Sequence, residues 1–103
     1  MNAKKVIPVL SRNEIVQRLS QLNLRQYNVT GLALFGSAAR DELRKHSDVD
    51  ILAEFSTLDV DKFFALQLLL EEALGRRVDL VTPKAIKPAM LPYIQGDLYN
   101  VAA

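Results

Sequence analysis

The sequence has no cysteine and a single histidine, His46. The first absence excludes disulfides, thiolate metal sites and cysteine nucleophiles, and the second excludes any site that needs two imidazoles from one chain. A metal, if one is bound, must be held by carboxylate oxygens. Long hydrophobic runs are missing too: Leu68-Leu69-Leu70 is followed at once by Glu71 and Glu72, far short of the roughly 20 apolar residues that cross a bilayer. Residues 1–8 carry two lysines but no apolar segment or small-residue cleavage site, so no secretory signal is read there. A cytoplasmic location without membrane association is expected. Nor is there a strong charge of one sign. Thirteen Lys and Arg against 12 Asp and Glu leave a net charge of +1, and the basic residues are scattered. Nonspecific nucleic-acid binding needs clustered cations that neutralise many phosphates, so nucleic acid is not an expected partner. Internal repeats and low-complexity tracts are also lacking.

What is present suits one compact domain over residues 1–103. At that length, with 50% hydrophobic and 24% charged residues, there is room for a single core. Ser11 followed by Glu14 forms a capping-box signature, and Ile15, Leu19 and Leu22 recur at helical spacing, which predicts a helix over 12–26. Leu32-Ala33-Leu34-Phe35, closed by Gly36, reads as a buried strand. Ser37 is then placed to cap a helix over 38–43, with Asp41 and Glu42 in its early turns. Val49 to Phe55 partly alternates apolar and polar residues, as a strand with one face against a core does. Asp59 and Asp61 mark a polar break. Phe63, Leu66, Leu70, Ala73 and Leu74 then trace one side of a helix that ends at Gly75, apolar enough to be buried or to cover a partner. Val78-Asp79-Leu80-Val81 is a third strand, stopped by Thr82-Pro83. Beyond it, Pro88 and Pro92 bracket a short helix or two. The expected class is α/β (α+β): a small mixed sheet flanked by helices.

Asp48 and Asp50 are two apart at the start of the second strand, so both side chains project from one face. Carboxylates held side by side repel unless a cation lies between them. Magnesium suits this, because it takes oxygen ligands from one or two carboxylates plus substrate phosphates. Asp79 adds a third acid if its strand neighbours the second. An isolated Asp-x-Asp pair is commonly a strand-edge or turn feature, but here both residues open an apolar strand with no evident turn. Gly36-Ser37, at a strand-to-helix junction, supplies the other half of a phosphate site: glycine permits close backbone approach and a helix start offers unpaired N–H groups. Arg40, one turn on, is read as a phosphate contact, a partner for a site carboxylate, or a structural salt bridge. Ser47 either positions the Asp48 loop or is a turn residue. Arg44, Lys45, Arg76 and Arg77 are phosphate contacts or solvated charges, and the chemistry is not placed on His46.

Taken together, Leu34-Phe35-Gly36-Ser37-Ala38-Ala39-Arg40 and Ser47-Asp48-Val49-Asp50-Ile51 resemble the signature of the DNA polymerase beta-like nucleotidyltransferase superfamily. The similarity is greatest to its small prokaryotic branch, the minimal nucleotidyltransferase (MNT) domains. Asp79 matches the third acid of that pattern. The resemblance implies a polymerase beta palm-like fold, with Gly36 and Ser37 on the triphosphate of ATP, Asp48 and Asp50 on two magnesium ions, and Asp79 completing the site. It further implies a role as antitoxin beside a HEPN-type toxin, in a hetero-oligomer, adding AMP to a tyrosine of that partner. One departure stands out: many members have glycine after the motif arginine, where this chain has Asp41, read as an outward-facing acid at a helix start. The chain also looks too short for a separate acceptor-binding domain, so a partner surface is expected to present the acceptor. Two other readings compete: an inactive antitoxin that blocks its partner by occlusion, and nucleotidyl transfer to a small molecule or an RNA end.

Overall fold

The computed structural model describes residues 9–102; the N-terminal stretch read above as lacking a secretory signal lies outside them. In chain order the elements are helix α1 (Arg12–Ser20), a 3-10 turn (Leu24–Tyr27), strand β1 (Val29–Phe35), helix α2 (Gly36–Ala39), strand β2 (Val49–Phe55), helix α3 (Val60–Leu74) and strand β3 (Val78–Val81). Two further 3-10 turns (Pro83–Ala85 and Pro88–Met90), helix α4 (Leu91–Asp97) and strand β4 (Tyr99–Ala102) complete it. The sheet order is β3-β2-β1-β4, with β2 and β3 parallel and the other pairs antiparallel. This is the mixed sheet flanked by helices that the sequence pattern implies.

Alternation along the strands gives the sheet two unlike faces. Leu32 and Leu34, then Val49, Ile51 and Ala53, then Val78 and Leu80 meet α1 and α3 through Ile15, Leu19, Leu66, Leu70 and Leu74 in the main core. Burying side chains of this size contributes about 1.5–3 kcal/mol each, so the three leucines of α3 alone hold it firmly on the sheet. The opposite face carries a smaller cluster, Phe35, Leu52 and Ile94, under α4. The apolar surface of α3 is thus divided. Leu66, Leu70 and Leu74 are fully buried, whereas Val60, Phe64 and Leu68 stand 65%, 58% and 62% exposed.

Three expectations about the elements, and one about Asp41, need correction. The first helix ends at Ser20; Leu22 and Leu24 donate their N–H groups to the carbonyls of Leu19 and Leu22, and a separate 3-10 turn follows, closed by Asn28 in the left-handed region at φ 63°. Leu22, Leu24 and Tyr27 still pack on the core, so two short pieces satisfy the spacing that suggested one long helix. The second helix starts at Gly36 and ends at Ala39 instead of spanning 38–43. Its N-cap is Phe35, with no side-chain cap, so Ser37 lies inside the helix. The third correction concerns the tail, where β4 adds an unforeseen edge strand.

Asp41 explains why α2 is so short. It adopts φ 60°, a left-handed conformation that glycine enters freely and other residues enter at a cost. That is a physical reason for glycine at this position in the resembling family. Instead of facing outward at a helix start, the Asp41 carboxylate accepts the Arg12 backbone N–H at 2.7 Å, one of the unpaired donors of the first turn of α1. Arg12 in turn donates its Nη1 to the Ala39 carbonyl at 3.0 Å and lies over the Tyr99 ring at 4.4 Å. Asp41→Ala is expected to cost about 1–2 kcal/mol, losing the cap and retaining the strain, while Asp41→Gly costs about half as much. Urea unfolding midpoints of the two variants check the order.

Candidate functional site

Register brings two of the three acids side by side. Parallel β2 and β3 begin together, with Val49 opposite Val78 and Asp50 opposite Asp79. The pleat sends Val49, Ile51, Val78 and Leu80 into the main core and turns Asp50 and Asp79 to the other face, a strand spacing of about 5 Å apart. Asp48, two residues before Asp50, is exposed at the mouth of this edge. Two bonds fix the start of β3 against α3: Gln67 Nε2 donates to the Val78 carbonyl at 3.2 Å and Val78 N–H donates to Glu71 Oε2 at 3.1 Å. A third, from Val49 N–H to the Arg77 carbonyl at 3.0 Å, ties β2 to the same point.

From the other side, antiparallel β1 brings Phe35 opposite Asp50, so the chain enters α2 directly beside that carboxylate. Gly36 has φ 66°, and a methyl group placed on it would overlap Asp50 Oδ2 and lie 3.4 Å from Asp50 Cγ. Glycine suits this position twice, for the left-handed backbone and because any side chain would push the Asp50 carboxylate aside. The N–H groups of Gly36, Ser37 and Ala38 begin α2 and have no partners within it, so donors suited to an anion adjoin a set of carboxylates.

Burial, then the neighbouring charges of Asp79 and Asp48, push the Asp50 carboxyl up to about 6, while Arg40 pulls the other way. A group in this state gains from a bound cation. The donors fit magnesium, being oxygens only. Among the described residues no group of three or more acidic or imidazole side chains is placed to hold a metal ion by itself; magnesium usually takes part of its shell from substrate phosphates.

Comparison with known proteins bears on the same stretch. Residues 12–100 match the family model of the nucleotidyltransferase domain. The chain belongs to that family. It is similar to a candidate protein adenylyltransferase of Methanocaldococcus jannaschii, 42% identical over 85% of this chain and 92% of that one. It is also similar to the protein adenylyltransferase MntA of Thermococcus cleftensis, 41% identical over 74% and 78% of the two chains. The fold is similar to a crystal structure of a toxin–antitoxin with AMP-PNP: the TM-score is 0.64 at 25% identity, covering 89% and 73% of the chains. No helix among the described residues of this nucleotidyltransferase is long and apolar enough to cross a membrane.

The remaining candidate residues divide sharply. Arg40 is a salt bridge: its Nη1 meets Asp97 Oδ2 at 2.6 Å and its Nε meets Glu42 at 3.6 Å, which holds α4 beside α2 while leaving the guanidinium near enough to affect Asp50. Ser47 closes a turn, its Oγ accepting the Arg44 N–H at 3.3 Å and its own N–H donating to the Arg44 carbonyl at 3.1 Å. Arg77 is exposed, whereas Arg76 is buried at 6% exposure and is no solvated charge. Asp48, His46, Lys45 and Leu68 help line a groove of about 700 Å³ against α3; Asp50 and Asp79 are not among its lining residues. Arg76 and Asp97 were not foreseen in these roles, because each acts on a residue about thirty or more positions away with no local pattern to signal it.

The raised Asp50 gives a pH-dependent prediction. Its folded value, about 6, lies above the ordinary 3.8. The folded state therefore binds more protons between those limits, and stability falls as pH rises through the window. In the metal-free nucleotidyltransferase the penalty is absent below about pH 4 and complete above about pH 6. Asp50→Asn should raise the melting temperature at pH 7 but not at pH 3, and Asp79→Asn should move the Asp50 carbon titration seen by NMR to lower pH.

Proposed function

We propose that this nucleotidyltransferase moves AMP from ATP onto a hydroxyl of a partner protein, a tyrosine of a HEPN-type toxin, and so acts in the cytoplasm as an antitoxin. One observation carries the donor half: Asp50 and Asp79 are register partners, with Asp48 two residues before Asp50, against the Gly36-Ser37 turn. The acceptor half is supported by the relatives named as protein adenylyltransferases and by the similarity to a toxin–antitoxin bound to an ATP analogue.

In this reading the backbone of Gly36 and the N–H and hydroxyl of Ser37 hold the triphosphate tail. Asp48 and Asp50, with Asp79, hold magnesium, two ions in the full complement. When bound, the ions neutralise charge on the attacking and leaving oxygens of an in-line displacement. Asp79 takes the proton of the acceptor hydroxyl. The acceptor oxygen bonds to the α-phosphorus, the bond from that phosphorus to the oxygen bridging to the β-phosphate breaks, and pyrophosphate leaves. Arg40 and Ser47 keep α4 and the Asp48 loop in place around this centre. Positioning and charge neutralisation supply most of the rate in phosphoryl-group chemistry, which suits a site made of fixed carboxylates and backbone donors.

The test offers ATP labelled in the α-phosphate, with magnesium, to the co-expressed partner, to RNA and to an aminoglycoside in parallel. Label is expected on the partner alone. Label on RNA or the aminoglycoside, with the partner unlabelled, would overturn the acceptor assignment.

A further inference from the structure

We infer that Arg76 is a positioning residue for the Asp48 end of the site, resting on the reading of Asp48 as part of the nucleotidyl-transfer centre. Arg76 is the single charged or polar side chain among the buried described residues, at 6% exposure. Its place in the chain is telling: it follows Gly75, which ends α3 at φ 65°, and precedes by two residues the start of β3. From there its Nη2 donates to the backbone carbonyls of Arg44, of Lys45 at 3.2 Å, and of Ser47. Ser47 is the residue immediately before Asp48.

The segment between α2 and β2 has no regular structure, so its carbonyls have no helix or ladder to pair with; that of Arg44 accepts the Ser47 N–H, and those of Lys45 and Ser47 are met by the Arg76 side chain. A single guanidinium gathers three of them. All three are held by one terminal nitrogen, whose two N–H groups are shared among them; a lysine at this position ends one atom short of that nitrogen and does not reach the same point. The neighbouring Arg77 carbonyl accepts the Val49 N–H, so the same two-residue segment fixes both sides of Asp48: the loop leading to it through the Arg76 side chain, and the strand leaving it through the Arg77 backbone. Asp48 is the only one of the three acids outside a regular element, and Arg76 supplies the rigidity that the strands give to Asp50 and Asp79.

The experiment compares wild type, Asp48→Asn and Arg76→Lys, each checked for folding by urea denaturation. Mn²⁺ affinity is read by electron paramagnetic resonance without nucleotide, and kcat and KM for ATP are read with the partner as acceptor. Arg76→Lys is expected to fold, to weaken Mn²⁺ binding by about 10–100-fold, the usual cost of losing a group that orients a ligand, and to lower kcat more than it raises KM. A folded Arg76→Lys with wild-type Mn²⁺ affinity and kcat would overturn the inference. In the wild-type protein, NMR should show resolved Arg76 Nη proton signals, because bonding to several carbonyls stops rotation of the guanidinium groups. Averaged signals would contradict the inference independently of any variant. Wild type that fails to bind Mn²⁺, or that binds it as well after Asp48→Asn, would instead overturn the reading of the site on which the inference rests.

Discussion

Asp48→Asn and Asp50→Asn should each lower AMP transfer by at least about 10²-fold, because the proposed function makes both direct magnesium ligands and losing a ligand costs more than losing a group that merely orients one. The amide is nearly the same size as the carboxylate, so packing survives and charge is what is removed. Asp50 is the more informative of the two. It lies in the sheet, its backbone held by partners on both sides, and its carboxyl already sits at about 6 through burial and the adjacent acids. Neutralising it relieves that repulsion, so Asp50→Asn should be at once more stable at neutral pH and nearly inactive. A loss of activity with a gain in stability separates removal of a functional charge from general damage to the fold. Protection of cells from the partner distinguishes the enzymatic reading from occlusion. An antitoxin that works by transfer loses protection with either variant, and one that works by covering its partner keeps it.

Gly36→Ala should be the most damaging change of a single methyl group. The backbone at φ 66° charges about 1–3 kcal/mol for a non-glycine residue, and the new carbon overlaps Asp50 Oδ2. The carboxylate is the softer of the two parts and must rotate away from the α2 start. Transfer should therefore fall by at least about 10²-fold, because displacing a reacting group by as little as 1 Å has that consequence. The fold should survive with a lowered melting temperature. A variant of Gly36→Ala that keeps wild-type transfer would show that Asp50 need not approach the β1–α2 turn, contrary to the geometry described above.

The strands that carry the acids were the most legible part of the chain. β2 and β3 have the limits that their alternation suggests, because one face of each meets the main core while the other carries Asp50 and Asp79 beside a smaller apolar cluster. The conditional placement of Asp79 beside Asp50 holds, since β3 is the parallel neighbour of β2 in matching register. Elements set by distant partners were harder to read. β4 is four residues long and lies at the edge, and its existence depends on pairing with β1. The length of α2 is decided by the left-handed Asp41, whose carboxylate is engaged with Arg12 at the start of α1. Arg40 fits the family motif, yet its partner Asp97 belongs to a helix near the other end of the chain. From the sequence Arg76 reads, with Arg77, as a phosphate contact or a solvated charge. Its burial follows from carbonyls in a loop thirty residues earlier, and no periodicity records that.

Transfer of AMP from the Asp48, Asp50 and Asp79 edge to a partner protein, as proposed, is tested most directly by the intact mass of that partner. The partner is purified after co-expression with the wild-type chain or with Asp50→Asn. Mass increments of whole AMP groups, mapped by fragmentation to tyrosine, are expected with the wild type and none with the variant. An unmodified partner in both cases, with cells still protected by the wild type, would contradict it.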